Sequence, residues 1–357
     1  MGSFEFISGR FDRRRLTAAR APGVLPVALL VAMGLLLATP LLKCRSAQSQ
    51  SPGQSQAPRQ EAQAAAIRGQ ESPPAYSVRR DLIYGYSPAN PDAPSDQDAR
   101  SMAASGGLEP LLADVFLPES AVASQAGATS AQPAAPRPAI IIIHGGSWQR
   151  GDRARMENIA MGLASAGFVA VNIEYSLAPR YRYPAQLEDC RKAVVWIREQ
   201  AAALNVDPQR VGAFGYSAGA HLALLLATTG RNAQDPARIQ AVVAGAPPAD
   251  LEGMPQTADR TLERLLGADR EEAPELYRQA SPISHVSSDD PPAFLYHGRY
   301  DWIVPVEQSR EMAKRLREAG VTVEVFEGDG GHLTSAPFRE GTPVGLPAAI
   351  RFLKQHL

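Results

Sequence analysis

A serine between two glycines is the strongest candidate for chemistry in this sequence. Residues 215–219 are Gly-Tyr-Ser-Ala-Gly, follow a predicted strand over Arg210–Tyr216 and open an apolar helix. A tight strand-to-helix turn holds the serine oxygen clear of the sheet, beside a helix N-terminus that favours developing negative charge. The flanking glycines relieve the crowding of such a turn. The pattern predicts Ser217 as the nucleophile of an acyl-transfer reaction.

A serine nucleophile needs a general base, and the base needs an acid that orients it. His332 follows a predicted strand and two glycines near the C-terminus, where a histidine can reach over the nucleophile. Asp301 comes just past the apolar strand Ala293–His297. Nucleophile, acid and histidine therefore follow three different strands in that order. We predict a triad of Ser217, Asp301 and His332, with Asp329 as the alternative acid.

A glycine-rich loop supplies candidate donors for an oxyanion. Residues 144–148 are His-Gly-Gly-Ser-Trp and directly follow a run of isoleucines. Consecutive glycines let backbone N–H groups approach an oxyanion without interference from a Cβ atom. We expect the amides of Gly146, Ser147 and Ala218 to form an oxyanion hole, with Gly145 in the same loop. The histidine of this loop sits at the strand end, which favours a role in bracing the loop.

Bulky residues beside these positions are candidates for a substrate pocket. Trp148, Tyr216 and Trp302 each directly precede or follow a predicted site residue. The polar, helix-prone segment 247–288 interrupts the alternation of strands and helices, where a small lid could sit. The bulk of Trp148, Tyr216 and Trp302 favours substrates with short acyl groups.

Alternating strands and helices should position these residues. The run Ala139–Ile143 has no polar face, as in a parallel strand that is buried on both sides. Strict alternation predicts right-handed crossovers and a parallel sheet with helices on both faces. Further predicted strands are Phe168–Glu174, Arg210–Tyr216, Ile239–Gly245, Ala293–His297 and Val321–Phe326, with Ser77–Tyr84 and Pro110–Phe116 as antiparallel edge strands. Predicted helices are Met156–Ala166, Leu187–Leu204, Ala218–Thr228, Val306–Ala319 and Pro347–Leu357.

Residues 1–45 have a different pattern. Arginines precede an apolar run at 24–42, which is long enough as a helix to cross the hydrocarbon core of a membrane. The positive charge predicts a cytoplasmic N-terminus, with the rest of the chain outside. A small-x-small cleavage site is missing just after the run, which favours a retained signal anchor over a cleaved signal peptide. Lys43 before Cys44 argues against lipidation. We expect an extracytoplasmic protein, periplasmic or secreted, anchored to the inner membrane by residues 24–42.

Composition defines the remaining segments and the partners. Residues 46–76 are rich in Gln, Ala, Ser and Pro and have little to bury, which predicts a disordered linker before a folded domain at 77–357. A flexible loop of similar composition is predicted at 119–137. The net charge of −1 offers no field that would attract nucleic acid. The two cysteines match neither a zinc site nor a disulfide framework, and no metal or organic cofactor is predicted.

Together these motifs resemble the α/β-hydrolase superfamily over roughly 77–357. The His-Gly-Gly-x-Trp loop, the Gly-x-Ser-Ala-Gly-Ala-His elbow and the segment Glu174–Pro179 are similar to the esterase and lipase group related to hormone-sensitive lipase. The resemblance implies an α/β-hydrolase fold, with a mostly parallel twisted sheet of about eight strands. Three departures point to the feruloyl and acetyl esterase-like branch. Ser147 replaces a third loop glycine, Tyr216 replaces an elbow aspartate, and Asp301 lies in a His-Gly-x-x-Asp segment like that of dienelactone hydrolases.

We therefore expect a serine carboxylic-ester hydrolase that acts on small-molecule esters of short acyl chains through an acyl-enzyme. One alternative is an amidase of the kynurenine formamidase type, which would use the same groups on an N-formyl substrate. A different class of protein, a catalytically inactive hydrolase fold tethered to a membrane as a binding protein, is the second alternative. The presence of every triad member and of the glycine loop argues against it.

Overall fold

A computed structural model describes residues 76–87, 108–119, 135–230, 232, 234–332 and 345–357. The predicted signal anchor, nearly all of the predicted linker and most of the loop at 119–137 lie outside these residues. Within the described ranges, no helix is both long enough and apolar enough to cross a membrane.

An eight-stranded sheet forms the centre of the described structure. Its spatial order is β1-β2-β4-β3-β5-β6-β7-β8, and β2 runs antiparallel to both of its neighbours while the other pairs are parallel. This confirms the predicted mostly parallel sheet. The strands are β1 Tyr76–Tyr86, β2 Pro110–Pro118, β3 Arg137–Ile143, β4 Val169–Ile173, β5 Val206–Tyr216, β6 Ala241–Gly245, β7 Ala293–Gly298 and β8 Val323–Gly328.

Helices alternate with the strands from β3 onward. The predicted helix Leu187–Leu204 is divided in two at Gln200, and its second part ends where Asn205 takes a left-handed conformation with φ 54°. Asparagine tolerates that conformation at a helix end. The α-helices are α1 Glu157–Ser165, α2 Ala185–Glu199, α3 Ala201–Leu204, α4 Ala218–Thr229, α5 Asp259–Leu266, α6 Pro274–Gln279, α7 Glu307–Glu318 and α8 Leu346–His356. Short 3₁₀ helices lie at Arg153–Met156, Gln256–Ala258 and Pro282–His285.

The isoleucines of β3 pack into both faces of the sheet. Ile140 and Ile142 join a core with α1 and α8, whereas Ile141 and Ile143 join a second core with α2, α4 and α7. Successive side chains of a strand point to opposite faces, so an unbroken apolar run is what a sheet covered on both sides requires.

The segment between β6 and β7 forms a helical insert, hereafter the insert, which contains α5 and α6. Leu262 and Tyr277 of the insert are buried in the core that also contains α4. The side-chain oxygen of Gln308, in the first turn of α7, accepts the N–H groups of Ala249 and Asp250 at 2.8 and 2.7 Å. The insert is therefore fixed to the body of the domain at its start.

Helix α4 crosses very close to the carboxyl end of β3. A Cβ atom on Gly219 would lie 2.1 Å from the carbonyl oxygen of Ile143, and one on Gly215 would lie 2.1 Å from the carbonyl oxygen of Gly219. Both clashes are with backbone, which cannot swing aside as a side chain can. The two glycines around the predicted nucleophile are thus required by the approach of helix to strand.

We predict that Gly219→Ala lowers the free energy of unfolding by at least about 1–3 kcal/mol, because the added methyl group forces α4 away from β3. Gly328→Ala is the matched control, since its Cβ would make only an ordinary contact of 3.4 Å with the ring of Phe326. Urea unfolding of both variants measures the difference. An unchanged midpoint for Gly219→Ala would contradict this packing.

Candidate active site

Ser217 occupies a strained turn between β5 and α4. Its backbone has φ 55° and ψ −122°, in the positive-φ region that residues with a Cβ rarely adopt. The turn is held on both sides, because the N–H of Ser217 donates to the carbonyl of Gly245 at 2.7 Å and its carbonyl accepts the N–H of His221 at 3.0 Å. The strain places the hydroxyl at the carboxyl end of the sheet.

The structure brings the three predicted triad residues into one hydrogen-bonded line. Nε2 of His332 lies 2.9 Å from Oγ of Ser217, and Nδ1 of His332 lies 2.6 Å from Oδ2 of Asp301. An ionised carboxylate only accepts hydrogen bonds, so Nδ1 carries the ring proton and Nε2 is free to accept the proton of serine. Asp329, the alternative acid, is exposed and pairs instead with Arg299 at 3.1 Å.

The carboxylate of Asp301 is buried and fully used. Its Oδ1 accepts the backbone N–H groups of Ile303 and Val304 at 3.0 and 2.9 Å. Burial acts to raise the pKa of Asp301, but contacts with His297, His332 and the Val304 amide outweigh it, and the pKa lies well below its ordinary range. Asp301 therefore stays ionised and can orient His332.

Tyr216 supports the histidine rather than the pocket. Its side chain packs in the core on the α1 and α8 side of the sheet, and its hydroxyl donates to the backbone carbonyl of His332. Burial raises the pKa of Tyr216 well above its ordinary value, so this hydroxyl remains a donor. The structure thus places Tyr216 away from the cavity that the sequence led us to expect it to line.

The glycine loop after β3 lies directly against the nucleophile. A Cβ atom on Gly145 would lie 2.7 Å from the carbonyl oxygen of Tyr216, and one on Gly146 would lie 1.8 Å from that of Arg150. Gly146 has φ 133°, and Ser147 and Trp148 have φ 56° and 59°. Such a succession of positive φ values turns N–H groups toward one side of the loop.

Three amides beside Ser217 are available to bind an oxyanion. No described residue accepts a hydrogen bond from the N–H of Gly146, Ser147 or Ala218. The Ala218 amide is at the N-terminus of α4, where the first N–H groups have no partner within the helix. These are the donors that the sequence predicted for an oxyanion hole.

The first residue of this loop, His144, is buried and braces the loop. The ring of His144 stacks on Tyr175 with centroids 4.3 Å apart, and its Nδ1 lies 2.9 Å from the carbonyl of Gly145. The hydroxyl of Tyr175 donates to the backbone carbonyl of His144 at 3.0 Å. Burial lowers the pKa of His144 to about 4, so the ring is neutral and structural near neutral pH.

A second buried histidine joins the glycine loop to the insert. Nε1 of Trp148 donates to Nδ1 of His221 at 3.1 Å, and Nε2 of His221 lies 2.7 Å from the carbonyl of Ala280. A carbonyl can only accept, so Nε2 carries the proton. Burial lowers the pKa of His221 to about 4. The neutral ring thus fixes the indole of Trp148 against the insert.

A cavity of about 230 Å³ lies in front of Ser217. Leu262 and Met254 from the insert line it on one side, and Trp148 and Ile303 line it elsewhere. Trp302 also contributes to its wall, although 79% of this residue is exposed to solvent. The lining is mainly apolar. In the described part of the chain, no group of three or more His, Cys, Asp or Glu residues could hold a metal ion.

A strand-to-helix nucleophile turn, a glycine loop and a Ser-His-Asp line at the carboxyl end of a mostly parallel sheet define an α/β-hydrolase. The family model BD-FAE matches residues 128–316, more than half of the chain, and the protein belongs to that family. Esterase LipQ of Mycobacterium tuberculosis is 36% identical over 211 residues, which are 55% of this chain and 49% of LipQ. The chain spans about half the length of the curated relatives it matches.

Solved structures confirm the α/β-hydrolase fold. A truncated carbohydrate esterase from gut microbiota superimposes with a TM-score of 0.62 at 24% identity, covering 80% of this chain and 98% of the esterase. An acetyl ester-xyloside bifunctional hydrolase from Caldicellulosiruptor lactoaceticus gives a TM-score of 0.59 at 25% identity, covering 77% and 97%.

We predict that His221→Gln makes the stability of the protein less sensitive to acid. The pKa of His221 is about 4 in the folded protein and 6.5 without burial. Between these two values His221 is protonated in the unfolded chain but not in the folded protein. The free energy of unfolding of the wild type therefore falls as the pH drops from about 6.5 to 4. This group accounts for up to about 3 kcal/mol of that fall. Urea unfolding at pH 7, 5.5 and 4.5 should show a shallower decline for the variant, and an identical decline would contradict the prediction.

Proposed function

We propose that the protein hydrolyses carboxylic esters with short acyl chains. The hydrogen-bonded line from Ser217 through His332 to Asp301 carries this proposal. The amides of Gly146, Ser147 and Ala218, which have no acceptor among the described residues, support it. The esterase names of the relatives support it. The same geometry argues against an inactive binding protein, in which a member of the line would be missing or the amides would be blocked.

The proposed reaction has two acyl-transfer steps. His332, oriented by Asp301, takes the proton of Ser217 as its oxygen attacks the ester carbonyl. The carbonyl oxygen becomes an oxyanion, which the amides of Gly146, Ser147 and Ala218 stabilise, and the alcohol leaves with the proton from His332. The same histidine then activates water, which releases the acid from the serine and restores the free enzyme.

The cavity supports a preference for short acyl groups. Its volume of about 230 Å³ is below the range of roughly 300–1,000 Å³ that is usual for sites of drug-sized ligands. Leu262 is fully buried, so it closes the side of the cavity toward the insert, where we place the acyl chain. A long chain would need this wall to move.

The solvent-exposed part of the cavity wall supports a ring-bearing alcohol. Trp302 is exposed, and the two backbone hydrogen bonds to Asp301 fix the loop that carries it. An exposed indole can stack on the apolar face of a sugar or on an aromatic ring. The neighbour at 25% identity is named an acetyl ester-xyloside hydrolase, so acetylated sugars are the first natural substrates to test.

We predict that p-nitrophenyl acetate and butyrate are hydrolysed faster than the octanoate, measured as kcat/KM on the purified protein. Ser217→Ala should lower kcat by about 10⁴-fold or more, because no other hydroxyl replaces the nucleophile. Ser284→Ala, a change of the same kind on the exposed surface of the insert, is the control and should retain activity.

Assays with esters, with N-formyl amides and with a fluorophosphonate distinguish the candidate functions. Turnover of every ester by Ser217→Ala at the wild-type rate would contradict the serine mechanism. A folded wild-type protein that hydrolyses N-formyl amides but no ester would favour the formamidase alternative. A protein that hydrolyses neither and does not react with a fluorophosphonate at Ser217 would favour the inactive binding protein.

We predict that Leu262→Ala shifts the preference toward longer acyl chains. Removing this wall should raise the ratio of kcat/KM for octanoate to that for acetate by about tenfold or more. Leu265→Ala is the matched control, because Leu265 is equally buried on the same helix but does not line the cavity. The ratio does not depend on the folded fraction. An equal ratio in both variants would place the acyl chain elsewhere.

A further inference from the structure

A buried histidine outside the triad lies against the acid of the triad. His297 is the next-to-last residue of β7, before the loop that carries Asp301, and its side chain is fully buried. Its Nε2 atom lies 3.3 Å from Oδ2 of Asp301, the oxygen that also accepts the hydrogen bond from His332 at 2.6 Å. Two imidazole rings therefore converge on one carboxylate oxygen.

The other contacts of His297 fix which nitrogen carries the proton. Nε2 lies 2.9 Å from the carbonyl oxygen of Val304, which can only accept a hydrogen bond. Nδ1 lies 2.7 Å from Oγ of Ser309, in the first turn of α7, whose hydroxyl can donate to it. The neutral ring with its proton on Nε2 satisfies both partners. The Nε2–H group then faces Val304 and Asp301 together.

We propose that His297 is a positioning residue of the active site, which supplies a second side-chain N–H to Asp301 and so holds the carboxylate in the orientation that His332 needs. This inference rests on the proposed triad chemistry. His297 itself does not touch Ser217 or the cavity in front of it.

The geometry of Asp301 explains why a second donor matters. A carboxylate has about four acceptor positions. Two backbone amides donate to Oδ1, His332 lies 2.6 Å from Oδ2, and Nε2 of His297 lies 3.3 Å from the same oxygen. With both oxygens held, the carboxylate cannot rotate away from His332. A buried carboxylate that loses a donor is less well compensated for its removal from water.

Loss of the His297 donor has a predictable effect on pH dependence. The contact with His297 is the largest of the influences that lower the pKa of Asp301, against the opposing effect of burial. Without it the pKa of Asp301 rises. Asp301 and His332 take up a proton as a coupled pair. A carboxylate that has lost a donor makes this uptake easier, so activity is lost at a higher pH than in the wild type.

Other titratable groups near this pair do not obscure that effect. Tyr216, on β5, faces Asp301, but burial holds its pKa far above the acid range. Glu327, on β8, lies near His297, and its pairing with Arg310 lowers its pKa. Among the described groups, protonation of the Asp301–His332 pair therefore sets the acid limb of the activity profile.

Two amide variants test the proposal, because each places an amide N–H donor at the position of a different nitrogen of the His297 ring. In His297→Gln the amide nitrogen can reach the position of Nε2, beside Asp301, whereas in His297→Asn it reaches only the position of Nδ1, beside Ser309. We expect His297→Asn to lose about tenfold to a hundredfold in kcat on p-nitrophenyl acetate. Its KM should change little, and the acid limb of kcat/KM should move to higher pH. His297→Gln should restore most of kcat and the wild-type limb.

The same variants distinguish positioning from packing. A folded His297→Asn with wild-type kcat and a wild-type acid limb would overturn the proposal. Equal losses in both variants, with an unmoved acid limb, would also overturn it, because they would show that only the shape of the ring matters. Urea unfolding midpoints establish that each variant is folded at the temperature of assay.

A fluorophosphonate probe separates this inference from the proposed function. Its reaction with Ser217 needs the activated hydroxyl but no particular ester. If the wild type hydrolyses none of the esters but is labelled, and labelling slows in His297→Asn and recovers in His297→Gln, positioning by His297 stands while the ester proposal fails. Labelling at one rate in all three proteins would overturn the positioning role.

Discussion

The burial of a single negative charge organises this active site. A carboxylate that leaves water must recover its hydrogen bonds inside the protein, or its charge becomes very costly. Asp301 recovers them from the backbone of its own loop, from His297 and from His332. His297 is held in β7, whereas the backbone donors lie on the loop after that strand and His332 lies after β8. Satisfying the charge therefore fixes the loop after β7 and the histidine after β8 at the same time.

The nucleophile depends on a different constraint, the close approach of backbone to backbone. Helix α4 packs against β3 at a distance that only glycine permits at Gly219, and the glycine loop packs against the turn at Gly145. These contacts leave Ser217 in a strained conformation whose relaxation would require β3, β5 and α4 to separate. The strain is thus sustained by the apolar cores on both faces of the sheet, which are the largest source of stability in the described structure.

The sequence was sufficient to predict the sheet and the residues that meet at its edge, because both depend on local pattern. An unbroken isoleucine run indicates a strand buried on both faces, and glycines flanking a serine after a strand indicate the turn. The place of Tyr216 depends on something else, the parity of the strand. Tyr216 lies one residue before Ser217, so its ring enters the core on the α1 and α8 side of the sheet. From that side its hydroxyl donates to the backbone carbonyl of His332. Adjacency in sequence suggested a pocket, but alternation along β5 placed the ring elsewhere.

Other contacts depend on tertiary packing that spacing does not encode. His297 and Asp301 are four residues apart, and only the path of the loop between them brings Nε2 to the carboxylate. Two consecutive residues of α7 complete the arrangement: Gln308 holds the start of the insert, and Ser309 holds His297. The insert forms one wall of the cavity, while His297 contacts the acid. The first turn of α7 therefore ties the shape of the pocket to the geometry of the triad, so neither can shift without displacing the other.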